Sequence, residues 1–188
     1  MKRHIFRLIA KGAFVVAAVG VLDACRPKNA VFMPYEDIAS APGQTLYGAN
    51  TLATEAGTAQ VFMEYPLMRN YTGKETGKQP MQVFPRGIRS VFYSETGQEI
   101  DVLLLADSAI NLQEEKLMKF FRNVEVYDYR SMDTIYTEAL YWNQNTKKIY
   151  SDVFVRKVSP GLVLEGDGFD SDERMENVVL RRPRGVIR

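Results

Sequence analysis

The sequence predicts an all-β domain: a twisted antiparallel β-jellyroll, open along one side, following an N-terminal signal or anchor segment. Three observations carry this reading. Residues 133–172 run as strand, polar turn, strand, turn, strand, with turns at Asn143-Gln144-Asn145-Thr146 and Ser159-Pro160-Gly161. A weaker copy lies upstream, where Asp107-Ser108-Ala109 leads to Asn123-Val124-Glu125-Val126 as Thr137-Glu138-Ala139 leads to Asp152-Val153-Phe154-Val155. The offset of about 30 residues is of the size that marks repeat architectures. Ten Tyr, ten Phe and one Trp suit a pleated, half-buried surface.

The chain begins with an address. Residues 1–12 hold Lys2, Arg3, Arg7 and Lys11 and no acid, and residues 13–22 are uniformly apolar. That run is about half the ~20 residues a spanning helix needs, so residues 1–24 read as a secretory signal peptide. Leu22-Asp23-Ala24-Cys25 resembles the lipobox of bacterial lipoproteins, which makes Cys25 the candidate lipidation site. The alternative is an uncleaved anchor over residues 5–22, with Arg7 and Lys11 on the cytoplasmic side. Either way the body sits outside the cytoplasm, held at a membrane, and the Arg26-Pro27-Lys28-Asn29 that follows favours the inner membrane.

Residues 25–57 are rich in Pro, Gly and small side chains and read as a tether or a loosely packed leader, with a short edge element at 35–38. The folded domain is expected over 58–188. Residues 59–65 alternate as a first strand, which Pro66 ends or marks as an edge. Residues 70–80 are an expected loop. Residues 87–94 and 99–106 flank Glu95-Thr96-Gly97-Gln98 as a hairpin. Residues 111–123 contain good helix formers, but they occupy the turn-and-strand position of the repeat. A hairpin is therefore expected there, with its turn at 113–116 and a strand over 117–121. Strands follow at 124–129, 134–142, 148–158 and 162–165, and shorter ones at 177–180 and 185–187.

Several function classes find no support. The only histidine is His4 and the only cysteine is Cys25, both ahead of the domain. A zinc site or a Ser-His-Asp triad in the body is thereby disfavoured. Lys and Arg number 24 against 23 Asp and Glu, and no basic block is interleaved with aromatics, so no nucleic-acid surface is expected. No catalytic residues, cofactor or metal site are expected. Asp167, Asp170, Asp172 and Glu173 lack the central glycine of a calcium loop and read as a solvated turn.

An ordered set of short segments resembles the LptC family, the periplasmic component of lipopolysaccharide export, and in particular its Bacteroidetes-type members. It comprises Tyr65-Pro66-Leu67-Met68, Phe84-Pro85-Arg86-Gly87-Ile88, Val91-Phe92-Tyr93, Ala106-Asp107, Lys116-Leu117 and Asn123-Val124-Glu125-Val126. It continues through Thr137-Glu138-Ala139-Leu140-Tyr141-Trp142, Lys148-Ile149-Tyr150-Ser151-Asp152, Phe154-Val155-Arg156, Gly166-Asp167-Gly168-Phe169-Asp170-Ser171-Asp172 and Pro183-Arg184-Gly185. Arg122, where the repeat usually has Gly, and Lys157, inside an apolar alternation, depart from the pattern.

The resemblance implies an open jellyroll with an apolar groove. Such a protein receives lipopolysaccharide from an inner-membrane ABC permease/ATPase complex and passes it to a periplasmic bridge protein of the same fold, docked edge to edge. The physics suits the role. Each CH₂ of an acyl chain exposed to water costs about 0.8 kcal/mol, and a stack of short strands lines one face with alternate side chains. Expected groove residues are Val102, Leu104, Val124, Val126, Ala139, Tyr141, Ile149, Phe154 and Phe169, which could equally fill a closed sandwich core. Gly166 and Gly168 either position the partner edge or serve as bulge glycines. Two other function classes are weighed: an extracytoplasmic scaffold lipoprotein binding glycan or protein on its surface, and, behind it, a hydrolase using the acids near Asp167–Glu173.

Overall fold

The computed structural model describes residues 41–72 and 79–187. Cys25, the apolar run before it and residues 35–38 lie outside the described residues. Those described fall within one unit, Glu36–Arg188. Their regular structure is entirely strand, in one antiparallel sheet of fourteen strands. No described helix is long and apolar enough to cross a membrane.

The sheet is folded on itself along a line of corners. Strands β1 (Gln44–Glu55), β2 (Thr58–Tyr71), β7 (Leu117–Asp128) and β8 (Asp133–Asn143) are long and cross that line. The others come in pairs split by a corner: β3 (Met81–Phe84) and β4 (Ile88–Tyr93), β5 (Ile100–Ala106) and β6 (Ser108–Leu112), β9 (Lys148–Ser151) and β10 (Val155–Ser159). The same holds for β11 (Leu162–Gly166) and β12 (Phe169–Asp172), and for β13 (Val179–Leu180) and β14 (Arg184–Ile187). One half-sheet therefore carries β4, β5, β10, β11 and β14 with the first part of β2 and β8 and the last part of β7. The other carries β3, β6, β9, β12 and β13 with the complementary parts.

Local chemistry makes the corners. Pro66 has no N–H to give to a ladder, and β2 leaves β4 after Glu64 and joins β3 at Arg69. On the other side β1 skips a pairing at Gly48, whose φ of 55° is left-handed. In β7 the pairing passes from β6 to β5 across Arg122 and Asn123, with φ of 63° and 46°. Here the Asp107 N–H donates to the Arg122 carbonyl at 3.1 Å, and Asn123 Nδ2 donates to Asp107 Oδ2 at 2.7 Å. Left-handed backbone is open to glycine without a side-chain clash, as at Gly48 and Gly87 of other corners. Arg122 adopts it at a cost of about 1–2 kcal/mol. At the β9–β10 corner Thr137 Oγ1 donates to the Phe154 carbonyl at 2.9 Å and meets Ser151 Oγ at 3.1 Å. The repeat in the sequence is one circuit across this line and back.

Apolar side chains of the two half-sheets face each other and form one core. Phe92 of β4 meets Trp142 of β8 edge to face at 5.2 Å, and Tyr65 meets Phe84 at 4.9 Å. Phe120, Leu104, Val155 and Phe169 are fully buried between the halves.

Three expectations are corrected. The tether assigned to 25–57 contains a twelve-residue strand, β1, because its exposed polar residues pair by backbone rather than by an apolar face. Of the two readings of Pro66, the strand end is overturned, since β2 continues to Tyr71; the proline sits in the unpaired gap where the strand changes partners from β4 to β3. The strand expected over 148–158 breaks at the corner between β9 and β10. The ambiguous segment 111–123 is a hairpin, with its turn at 113–116.

Candidate functional site

The interior between the half-sheets is the candidate site. Val102, Leu104, Val124, Val126, Ile149 and Phe169 all line it and are almost wholly buried. In this conformation the protein's own side chains fill it. Phe84, Phe120, Leu140 and Trp142 contribute as much, and the alternation of the sequence did not single them out.

Ala139, Tyr141 and Phe154 are corrections. A regular alternation from Thr137 puts Ala139 and Tyr141 inward. The corner at Glu138 interrupts it, so Leu140 and Trp142 face the core instead. Ala139 pairs with Phe121 on the opposite face, and Tyr141 stacks there on Tyr150 at 5.1 Å. Phe154 is 54% exposed at the β9–β10 corner, while its neighbour Val155 points inward. At the corner two residues of β7, Arg122 and Asn123, stand opposite the single Glu138 of β8, and the side chains of β8 change face there.

Opposite the corners the half-sheets meet through turns and side chains. A cavity of about 230 Å³ opens there, floored by Val61, Phe92, Val102 and Trp142 and rimmed by Lys147, Glu173 and Arg174. Trp142 is 9% exposed, and its Nε1–H has no hydrogen-bond partner among the described residues.

Outside, the line of corners forms a seam. A cavity of about 640 Å³ lies over Pro66, Arg86, Gly87, Leu105 and Asp107, and one of about 290 Å³ continues past Tyr136, Glu138 and Phe154. Asn123 and Glu125 line both. Tyr127 donates its hydroxyl to Glu125, and with burial and the carboxylate's charge this pushes the phenol up to about 12.

Among the described residues the sheet ends in unpaired edges. Among the described residues β1 pairs only with β2, and its other side is open over twelve residues containing neither Pro nor Lys. Tyr47 is 72% exposed and Leu52 54%. Such an edge is a template for strand addition. At the other end β13 and β14 are short. Gly166 and Gly168 lie on neither edge, which corrects their assignment to the partner edge. β11 is flanked by β10 and β14, and β12 by β9 and β13. A side-chain carbon on Gly168 would strike the Ser151 carbonyl, and one on Gly166 would lie 2.8 Å from the Arg181 carbonyl. They are glycines because backbones touch there.

The charged residues near the C-terminus are spent on one another. Arg181 binds Asp170 and Asp152, each at 2.8 Å, and these two partners raise the pKa of its guanidinium. Asp167 holds Arg184 at 2.8 Å and Arg182 at 3.4 Å. Lys157 meets Asp133 at 2.6 Å; burial would raise that carboxyl, but hydrogen bonds from Lys157 and Ser159 outweigh it and hold it below the ordinary range. That pairing is why a lysine interrupts an apolar strand. No group of three or more His, Cys, Asp or Glu among the described residues could hold a metal ion. Comparison of the chain with models of known protein families and with curated proteins finds no match.

Proposed function

We propose that this chain is a membrane-held, extracytoplasmic carrier of acylated lipid, and specifically the LptC-like component of lipopolysaccharide export at the inner membrane. The single observation that carries the reading is the arrangement of the apolar interior. It lies between two half-sheets joined on one side by backbone corners and on the other only by turns and side chains. Parting the free side would expose a continuous apolar face, as an acyl chain requires. The open β1 edge supports docking to a partner of like fold by strand addition. On this reading the ABC permease/ATPase complex supplies the lipid, and the bridge protein takes it.

A photoreactive leucine analogue at Leu104, and separately a diazirine residue at Tyr141, would test this in cells making lipopolysaccharide. Adducts are expected from Leu104 and not from Tyr141, which stands on the outer face. Adducts from Tyr141 alone would contradict the interior as the lipid path. A surface-binding scaffold is the second reading, favoured by the 640 Å³ seam cavity beside the exposed Arg86. It predicts adducts from seam positions such as Leu105 and none from Leu104.

A further inference from the structure

The segment 173–178, between β12 and β13, crosses the free side of the sandwich. Its start is a compact turn built on Asp172. That carboxylate accepts the N–H of Glu176 at 2.9 Å, the N–H of Arg174 at 3.2 Å and Asn177 Nδ2 at 2.7 Å. Burial would raise the Asp172 carboxyl, and these bonds hold it below the ordinary range instead.

From there the segment grips both half-sheets. On its own half the Glu173 N–H donates to the Lys147 carbonyl at 3.0 Å, and Glu173 pairs with Lys147 Nζ at 3.5 Å. On the other half Arg174 pairs with Glu95 of the β4–β5 turn at 2.9 Å. Arg130, in the β7–β8 turn, donates to the Arg174 carbonyl and pairs with Glu176 at 3.1 Å. Arg130 also binds Asp128 at 3.2 Å and Asp101 at 3.6 Å, both nearly buried.

Between these grips Met175 turns inward. It is 3% exposed and belongs to the core cluster, on a backbone whose φ of 60° disfavours a side-chain residue. Nothing in its own turn requires a large apolar group there. The strained position is held by the core. On its outer side Met175 borders a cavity of about 430 Å³ with Asp128, Arg130 and Lys157, while its neighbours Glu173 and Arg174 rim the cavity that reaches Trp142, whose N–H has no partner among the described residues.

We propose that segment 173–178 is a gate on the interior, with Met175 as its plug and Arg130 as its latch, and that an acyl chain bearing an anionic head enters when the plug withdraws. This rests on the carrier reading above. The methylene chain takes the place of the Met175 side chain in the core and runs on between the half-sheets to Phe92 and Trp142. An acceptor oxygen of the head satisfies the indole N–H, and Lys147 and Arg174 exchange their carboxylate partners for the head.

Trp142 is the only tryptophan, so its fluorescence reports entry without a label. The full chain would be titrated with a brominated fatty acid, whose bromines quench an indole on contact. The wild type is expected to quench only at high concentration. In Met175→Gly, which removes the plug and relieves the left-handed backbone, the half-quenching concentration is expected to fall at least about tenfold, the factor that burial of a methionine side chain represents. In Glu176→Ala, which cuts one arm of the latch at a side chain that is 54% exposed, it is expected to fall about two- to fivefold. One shared curve for all three proteins overturns the gate and leaves the carrier reading standing. No quenching in any of them overturns both. Should Met175→Gly lose its strand circular dichroism, Glu176→Ala decides by the same criterion.

Discussion

Replacing Phe120 by alanine is expected to remove about 3–5 kcal/mol of stability. The phenyl ring is fully buried, on the one strand that pairs with β5, β6 and β8. Its neighbours across the ladders, Ala109 and Leu140, are themselves wholly buried and belong to the same core. Both flanking strands are held by backbone ladders, so the site can collapse only slightly and most of the deleted volume stays empty. Guanidinium unfolding followed by circular dichroism would show the loss as a lower midpoint at unchanged slope. The variant also reports on function. An apolar cavity that an acyl chain reaches is stabilised by it as RT ln(1 + [L]/Kd), about 2.7 kcal/mol at a hundredfold excess over Kd. A fatty acid should therefore raise the midpoint of Phe120→Ala. A loss of stability below about 1 kcal/mol would show that the core is not packed as described.

Gly168→Ala is expected to cost about 3 kcal/mol, from two sources that add. Its φ of 141° lies in a region that is essentially reserved for glycine. A β-carbon would also meet the Ser151 carbonyl, which is backbone and cannot swing aside. Ser151 belongs to the Thr137–Ser151 network that holds the β9–β10 corner, so the damage should spread to that corner. The readout separates two roles. A glycine kept for internal contact loses thermal stability on substitution, and partner affinity falls only with the folded fraction. A stable variant that fails to bind the partner would return Gly168 to the docking edge.

Repeat spacing, turn chemistry and strand composition made the all-β fold legible in the sequence, down to the turn at 113–116 that decided a helix-like segment in favour of a hairpin. Alternation located the interior where strands run straight, as at Val102 and Leu104 or Val124 and Val126. It failed beyond corners. Period-two counting carries no information about a bulge, so Ala139 and Tyr141 were assigned the face that belongs to Leu140 and Trp142. Phe154 was misplaced in the same way, being the residue of the corner itself rather than of the strand. Strand β1 was hidden for another reason. It buries little, and its sequence Gln44-Thr45-Leu46-Tyr47-Gly48-Ala49-Asn50 has the small polar residues of a linker. Only the backbone ladder to β2 makes it a strand. Met175 was invisible because no periodicity applies to a single side chain turned inward from a loop.

The account as a whole rests on the free side of the sandwich opening for lipid. Pulsed electron resonance between spin-labelled unnatural residues at Tyr127 and Lys148, outward on opposite half-sheets near the free side, measures that opening directly. With lipopolysaccharide bound, the distance should grow by roughly 5 Å over that of two sheets packed at their usual ~10 Å, enough for a layer of methylene chains. A distance distribution unchanged at saturating lipopolysaccharide would mean that the halves never part, and that the interior is a core and nothing more.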